Sequence, residues 1–336
     1  MSSSIPVHTV SSSTVQQRQL SDLNFMDIYV CLEGNGRAHY REGMNQGIMS
    51  EIDADVPPQY LDDVEELASV LRNDFKGFEK ALTFGGMRLR ASKLETSNGE
   101  LWAAMRRISE MPPRLDQLGF MKQLPPLLRE FGKRSGLILI SGSTGQGKTT
   151  TASSLLLEYL ETMGGVAFTL EDPVEYNLAG RRGTSGYCYQ SEIKNDDEWG
   201  SMLKRSLRWH PRYIMVGEIR TPGGANQLLR AATSGHTVIA TMHAGNMEEA
   251  LEGLLQLAEH ELGDHASLLL AAGLISVIHQ SFGPFGMKTS FMMTENNNPG
   301  SPIRALIREK HIGQTRTISD QQMALLMQNG KIFNIR

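Results

Sequence analysis

The sequence lacks the features that mark secreted, membrane-spanning and nucleic-acid-coating proteins. Its two cysteines, Cys31 and Cys188, lie far apart and show no metal-ligand spacing, so free thiols in a reducing cytoplasm are expected. Its 33 lysines and arginines are outnumbered by 37 acidic residues, which argues against a protein built to coat nucleic acid. The longest apolar run, residues 268–278, is far too short to cross a bilayer.

The first 20 residues also lack periodicity. They are rich in Ser, Thr, Val and Gln, which predicts a flexible tail over residues 1–20. They contain neither the basic region nor the apolar core of a secretory signal. We therefore expect a cytoplasmic protein that reaches a membrane only through partner proteins.

One short stretch, residues 141–150 (SGSTGQGKTT), fits the phosphate-loop pattern G-x-x-x-x-G-K-[ST]. An apolar, β-rich run at residues 137–140 precedes it and a helical pattern from Thr149 to about Met163 follows, which is the strand–loop–helix context that the pattern requires. Its glycines let the backbone turn sharply, so that successive N–H groups face anionic oxygens at a helix N-terminus.

The residue types in this loop predict a nucleoside triphosphate. Lys148 would contact the β- and γ-phosphates, and the Thr149 hydroxyl would ligate Mg²⁺. The residues expected to surround the phosphates are Gly142, Ser143, Thr144, Gly145, Gln146, Gly147, Lys148, Thr149 and Thr150.

The length and the change of pattern along the chain predict two domains. Residues 21–109 combine short strand-like runs with one helix after Pro57-Pro58, which predicts a small α/β domain. The Met111-Pro112-Pro113 stretch predicts a linker over residues 110–117.

From residue 118 onward, strands alternate with helices up to a mainly helical end, expected over about residues 283–336. This alternation predicts a mostly parallel, doubly wound sheet with the nucleotide at the carboxyl ends of the strands. Strands are expected at residues 137–140, 166–170, 213–216 and 237–241.

Three further stretches place acids or imidazoles at the ends of these strands. Residues 169–175 (TLEDPVE) carry three carboxylates, residues 213–218 (YIMVGE) end in Glu218, and His236 and His243 bracket one strand. Taken singly, each has an ordinary alternative: a solvated acidic loop, a buried strand followed by a surface acid, or a structural histidine. The two histidines are not a zinc pair, because a separation of seven residues puts them near opposite ends of the strand.

Together, these stretches resemble the secretion-ATPase superfamily of type II secretion, type IV pilus and type IV secretion motors. In that family a Walker A loop is followed by an aspartate box, a Walker B strand ending in Gly-Glu, and a histidine box. This sequence carries them in the same order, at residues 142–149, 169–175, 214–218 and 235–243. The likeness runs from about Ser21 to the C-terminus.

Within this family the chain is most similar to the retraction ATPases of type IV pili (PilT-like). Residues 302–309 (PIRALIRE) are similar to a signature of that subgroup, in which the first residue is usually Ala and the fourth Asn. The resemblance implies a RecA-like P-loop ATPase domain over residues 118–336, preceded by a PAS-like α/β domain over residues 21–109.

The resemblance also implies residue roles. Glu175 would be the general base or the carboxylate that orients water, with Glu171 and Asp172 beside it. Glu218 would orient Mg²⁺ and the attacking water, and Arg220 matches a family arginine. His236 and His243 would contact the γ-phosphate and relay its loss. The metal would be held, partly through water, by Thr149, Glu218, Glu171 and Asp172.

An arginine-bearing strand of the first domain would reach a nucleotide on an adjacent subunit. Alternation puts Arg88 and Arg90 on one strand face, opposite Met87, Leu89 and Ala91. A charged solvent face explains this pattern equally well. Arg106 and Arg107 are weaker candidates for the same role.

Some positions depart from the family pattern and leave the subgroup open. The family usually has acidic residues where His210 and Arg212 stand, Asp where Thr221 stands, and Leu and Thr on either side of His243.

The implied function is a cytoplasmic hexamer that hydrolyses Mg-ATP at the inner membrane and acts on a platform protein to retract a type IV pilus. Alternatives are a motor for conjugation-like type IV secretion, for type II secretion or for pilus assembly, and a nucleotide-gated structural subunit with little turnover. A nucleic-acid translocase is disfavoured by the acidic composition and by the lack of clustered basic and aromatic residues.

Overall fold

The computed structural model describes residues 19–34, 36–42, 53–74, 79–108, 111–283, 286–296, 298, 300–330 and 332. The chain forms two compact units, Met1–Ser109 and Glu110–Arg336. The tail predicted over residues 1–20 lies outside the described residues except for Gln19 and Leu20. Leu20 begins a short 3₁₀ helix and is buried, so it belongs to the core of the first unit.

The first unit is a six-stranded antiparallel sheet in the order β3-β2-β1-β6-β5-β4. Its strands are β1 (Phe25–Cys31), β2 (Ala38–Glu42), β3 (Asp53–Asp55), β4 (Glu79–Phe84), β5 (Met87–Glu95) and β6 (Leu101–Ile108). The helix α1 (Leu61–Asp74) buries Val64, Leu67 and Leu71 in the same core as Ile28 and Leu89. An antiparallel sheet covered on one face alternates apolar and polar residues, as these strands do. The small α/β domain predicted from the sequence is confirmed.

The second unit is an eight-stranded sheet in the order β14-β13-β7-β12-β11-β8-β10-β9. The six central strands run parallel, and the two edge strands run antiparallel to their neighbours. The strands are β7 (Gly136–Gly142), β8 (Gly165–Glu171), β9 (Gly180–Arg182), β10 (Gly186–Glu192), β11 (Tyr213–Val216), β12 (Thr237–His243), β13 (Leu274–Gly283) and β14 (Gly286–Met293).

Helices cover both faces of this sheet, because its central strands are apolar on both sides. Ile138 and Ile140 of β7 pack in one core with Leu155 and Tyr159. Leu137 and Leu139 lie in the opposite core, which also contains residues of α5 and α6. The helices are α2 (Leu124–Phe131), α3 (Lys148–Met163), α4 (Glu198–Ser206), α5 (Pro222–Thr233), α6 (Met247–Leu262), α7 (His265–Gly273), α8 (Pro302–Arg308) and α9 (Thr315–Asn329).

The doubly wound, mostly parallel sheet predicted from the sequence is confirmed, but the predicted helical end begins too early. Residues 286–293 form β14, whose exposed and half-buried positions alternate before the buried run that starts at Phe291. Helices resume only at Pro302. Among the described residues, every helix is too short or too polar to span a bilayer.

Candidate nucleotide-binding site

The phosphate loop joins the buried strand β7 to the helix α3. Gly145 and Gly147 have φ of 75° and 74°, a left-handed conformation that glycine adopts without strain. At Gly142 a Cβ would lie 2.4 Å from the carbonyl oxygen of Gln280, so no larger residue fits there. The loop therefore depends on glycine both for its turns and for its close approach to β13.

Lys148, the first residue of α3, points its side chain back over the loop. Its Nζ donates to the carbonyl oxygen of Ser143 at 2.9 Å and lies 3.3 Å from Nδ1 of His243. Burial lowers the pKa of Lys148, while the nearby carboxylates of Glu218 and Glu175 act in the opposite direction. A cation that has lost much of its hydration in this way is suited to bind an anionic phosphate.

Glu218 and His243 meet at the carboxyl ends of β11 and β12. The His243 Nε2 atom lies 3.3 Å from the Glu218 Oε1 atom, and both side chains remain partly exposed. The strand register puts His243 beside Gly142, the last residue of β7. A continuous chain of polar contacts therefore crosses the carboxyl ends of the central strands, from Lys148 through His243 to Glu218.

The acidic loop after β8 approaches the phosphate loop through Glu175 and its neighbour. The hydroxyl groups of Tyr176 and Thr150 lie 2.9 Å apart, which ties this loop to the first turn of α3. The carboxylate of Glu175 lies close enough to Lys148 to favour its charged form. The structure thus brings Glu175 into the neighbourhood of Lys148.

Glu171 is held inside the protein. It is 1% exposed, and its Oε1 accepts hydrogen bonds from the Thr169 hydroxyl at 2.6 Å and the Gln190 amide at 2.9 Å. Burial raises the pKa of this carboxyl group, and these hydrogen bonds oppose the shift. The partners of Glu171 are thus neighbouring side chains of β8 and β10.

Asp172 and Arg220 are bound to each other. The Arg220 guanidinium pairs with Asp172, and its Nε donates to Asp196 at 2.7 Å. The same guanidinium lies 5.9 Å from the centre of the Trp199 ring. Asp172 and Arg220 are thus each other's partners here, and the proposed roles of Asp172 as a metal ligand and of Arg220 as a catalytic residue would require this ion pair to open or to act as a unit.

The two histidines lie at opposite ends of β12. His236 precedes the strand, and its Nδ1 lies 2.6 Å from the carbonyl oxygen of Pro211. Seven residues of strand separate it from His243, a distance of roughly 23 Å. His236 cannot reach a phosphate bound at Lys148 of its own chain, which corrects the expectation that both histidines contact the γ-phosphate there.

Three candidate arginines of the first unit, Arg88, Arg90 and Arg106, lie on the sheet face opposite α1. On β5, Arg88 and Arg90 alternate with the buried residues Met87 and Leu89, as predicted. Arg90 lies opposite Arg106 in the β5–β6 register, and Arg106 binds Asp27 at 2.8 Å.

The guanidinium of Arg107 is held by the backbone. It donates to the carbonyl oxygens of Leu23 at 3.1 Å and Ser21 at 3.2 Å. Arg107 therefore has a structural role in the first unit.

Sequence reasoning missed Gln280, which links three parts of the site. Gln280 is 0% exposed, and its Nε2 donates to the carbonyl oxygen of Gln146 at 2.6 Å. Its Oε1 accepts from the Thr151 hydroxyl at 2.8 Å. The only available signal was a polar pair, His279-Gln280, at the end of an apolar run, which does not reveal the partner of either side chain.

A metal ion at this site would need ligands from the substrate. In the described part of the chain, no group of three or more His, Cys, Asp or Glu side chains could hold a metal. The hydroxyl of Thr149 and the carboxylate of Glu218 are oxygen donors of the kind that Mg²⁺ prefers, and Mg²⁺ usually keeps several waters and binds substrate phosphates. The residues therefore fit Mg²⁺ that arrives with a nucleotide.

Comparison with known proteins finds relatives over most of the chain. Residues 79–290 match the family described as type II/IV secretion system protein. The Escherichia coli (strain K12) protein YggR is 32% identical over 259 residues, which cover 76% of this chain and 77% of YggR. The type IV pilus ATPase PilU of Pseudomonas aeruginosa is 29% identical over 54% of this chain, and the match spans 46% of PilU.

The fold resembles a solved structure with a bound nucleotide. The pilus retraction motor PilT with bound ADP superposes with a TM-score of 0.69, covering 94% of this chain and 92% of that chain. The sequence identity is 24%, so this likeness concerns the fold.

Proposed function

Because the chain belongs to the family of type II/IV secretion system proteins, we propose that it is the ring-shaped motor that retracts a type IV pilus. The chain is an ATPase of this family. We infer the oligomeric state of the chain, the machine that it drives and the direction of the force.

The observation that carries the proposal is the chain of contacts from Lys148 through His243 to Glu218. Hydrolysis needs positive charge at the terminal phosphate and a positioned water, and these three side chains supply a cation, an imidazole and a carboxylate side by side. A protein that only bound nucleotide would need the phosphate loop and the cation, but not the imidazole and the carboxylate.

We assign the roles as follows. Lys148 binds the β- and γ-phosphates, Thr149 ligates Mg²⁺ that enters as Mg-ATP, and Glu218 orients both this Mg²⁺ and the attacking water. Glu175 orients the attacking water or accepts its proton. His243 detects loss of the γ-phosphate, because its ring lies between the phosphate-binding cation and Glu218.

A ring of six copies would complete the site. Arg88 and Arg90 would act on the nucleotide of an adjacent subunit as positive charge in trans, which speeds phosphoryl transfer in other P-loop enzymes. Movement of the first unit with the state of the nucleotide would convert hydrolysis into force on an inner-membrane platform protein at the cytoplasmic face. The face of the first unit's sheet that carries Arg88 and Arg90 is charged, and this supports the proposed role of the two arginines.

One feature favours retraction over assembly or export. The segment 302–309 resembles the retraction signature. A strain lacking this chain should accumulate surface pili and lose pilus-driven motility. Loss of substrate export with normal retraction would favour a secretion motor instead.

The ring is tested with the purified full-length chain. Light scattering with and without Mg-ATP should give the mass of six chains, and the specific ATPase rate should rise with protein concentration as the ring forms. Nucleotide binding by a monomer, with no concentration-dependent turnover, would favour a nucleotide-gated structural subunit.

A further inference from the structure

Phe282, at the end of β13, is a large apolar side chain exposed beside the phosphate loop. It is 53% exposed, whereas Leu274, Val277 and Ile278 of the same strand are buried. Exposing a phenylalanine forgoes the gain from burying its ring. An exposed ring beside a ligand site is therefore a candidate for contact with that ligand.

Contacts with the phosphate loop fix the position of Phe282. Its backbone N–H donates to the side-chain carbonyl of Gln146, while Gln280 holds the backbone carbonyl of the same residue. A Cβ at Gly147 would lie 3.4 Å from Cε2 and 3.7 Å from Cζ of the Phe282 ring. The ring thus lies in van der Waals range of the loop.

The order of strands gives the direction in which a bound nucleotide would run. Glu218 follows β11 and His243 ends β12, on one side of β7, and both would face the terminal phosphate. The nucleoside end must then point away from them. Phe282 is the second-last residue of β13, the strand on the opposite side of β7. The ring is therefore on the side of the loop where the base would emerge.

We propose that Phe282 is the stacking platform for the nucleobase, an inference that rests on the nucleotide binding assigned above. Every base presents a π-face to an aromatic ring, so such a platform adds affinity and tolerates different bases. The Phe282 ring has no hydrogen-bonding group, and it should therefore contribute equally to binding adenine and guanine nucleotides.

The test compares a nucleotide with its base-free counterpart on the full-length protein. The Phe282→Ala substitution should raise the Kd for ADP and the Kd for GDP by about tenfold or more, and by similar factors. Calorimetric titration measures both constants. The Kd for inorganic tripolyphosphate should not change. The Phe282→Trp variant should retain ADP binding, because its ring can also stack.

A control removes an aromatic ring that lies away from the loop. Tyr187 on β10 is 39% exposed, and the Tyr187→Ala variant should bind ADP as the wild type does. If Phe282→Ala weakens tripolyphosphate as much as ADP, the ring only supports the loop and the proposal is wrong. Unchanged ADP binding would also overturn it. If the wild type bound neither ligand, the nucleotide site itself would be refuted, and the platform with it.

Discussion

The Nε2 atom of His243 lies 3.3 Å from the Oε1 atom of Glu218. The other ring nitrogen of His243 lies 3.3 Å from Lys148 Nζ. One imidazole thus stands between the cation expected to hold the phosphates and the carboxylate expected to direct water. Removing the charge of Glu218 while keeping Lys148 should therefore separate nucleotide binding from hydrolysis.

The Glu218→Gln variant should bind ATP but hydrolyse it slowly. The amide keeps the size of the side chain and loses its negative charge, so Mg²⁺ and the attacking water should be positioned less well and turnover should fall by about 100-fold or more. Steady-state phosphate release and equilibrium nucleotide binding should be measured on the same preparation. The matched control is Glu252→Gln on the exposed side of α6, which should leave both quantities unchanged. Wild-type turnover in Glu218→Gln would exclude the assigned role.

Nucleotide binding should draw a proton onto Lys148 at alkaline pH. Burial lowers the pKa of Lys148 below the ordinary value of 10.5, and a bound polyphosphate would raise it again. The Kd for ADP should therefore rise as the pH increases through the window between the lowered pKa of Lys148 in the free protein and its higher pKa in the complex. Calorimetry in two buffers of different ionisation enthalpy measures the proton uptake, which should vanish in Lys148→Met.

The lowered pKa of Lys148 also predicts how the free energy of unfolding changes with pH. Below the lowered folded-state pKa, Lys148 is charged in both the folded and the unfolded chain, and the full cost of burying the ammonium opposes folding. As the pH rises through the folded-state pKa toward the unfolded value, the buried amine loses its proton and this cost falls. Lys148→Met should therefore stabilise the nucleotide-free protein more at neutral pH than at strongly alkaline pH.

Gln280→Leu should loosen the phosphate loop. The substitution leaves the Thr151 hydroxyl and the Gln146 carbonyl without their partner, at a cost of roughly 1–3 kcal/mol of unfolding free energy. ADP affinity should fall as well, which calorimetry would measure beside urea unfolding.

Gln322→Leu is the matched control for this experiment. Gln322 is buried and makes two hydrogen bonds of 2.9 Å with the backbone of Met293. Its substitution should cost similar stability and leave ADP affinity unchanged. An equal loss of affinity in both variants would mean that Gln280 acts only through global stability.

Arg304, within the segment that resembles the retraction signature, should be a structural residue. Its guanidinium donates to the carbonyl oxygen of Ala272 at 2.6 Å and to the Thr294 hydroxyl at 3.0 Å, so it caps the end of α7. Arg304→Met should lower the unfolding free energy by about 1–3 kcal/mol.

The exposed Arg316 provides the comparison, since Arg316→Met should change stability by less than about 0.5 kcal/mol. Urea unfolding measures both variants. Full stability of Arg304→Met together with lost motor activity would instead indicate direct contact with a partner.

The sequence predicted the elements whose signals are local or continuous. The phosphate loop, its flanking strand and helix, and the buried strands β8, β11 and β12 are confirmed within a residue or two of their expected ends. Strands toward the sides of the sheet were missed because polar residues interrupt them. β10 contains Tyr187, Tyr189 and Gln190, and the apolar run 268–278 is divided between α7 and β13, which periodicity alone cannot separate.

By itself, the sequence determined which chemical groups follow which strand, because a parallel sheet collects the carboxyl ends of its strands at one edge. Only the tertiary structure decided which of those groups can act together. Glu171 turns inward to Thr169 and Gln190, Asp172 binds Arg220, and Glu218 reaches His243. Spacing along the chain gives the order of residues but not the direction of their side chains. That direction depends on strand register and on which partner across the sheet satisfies each buried charge.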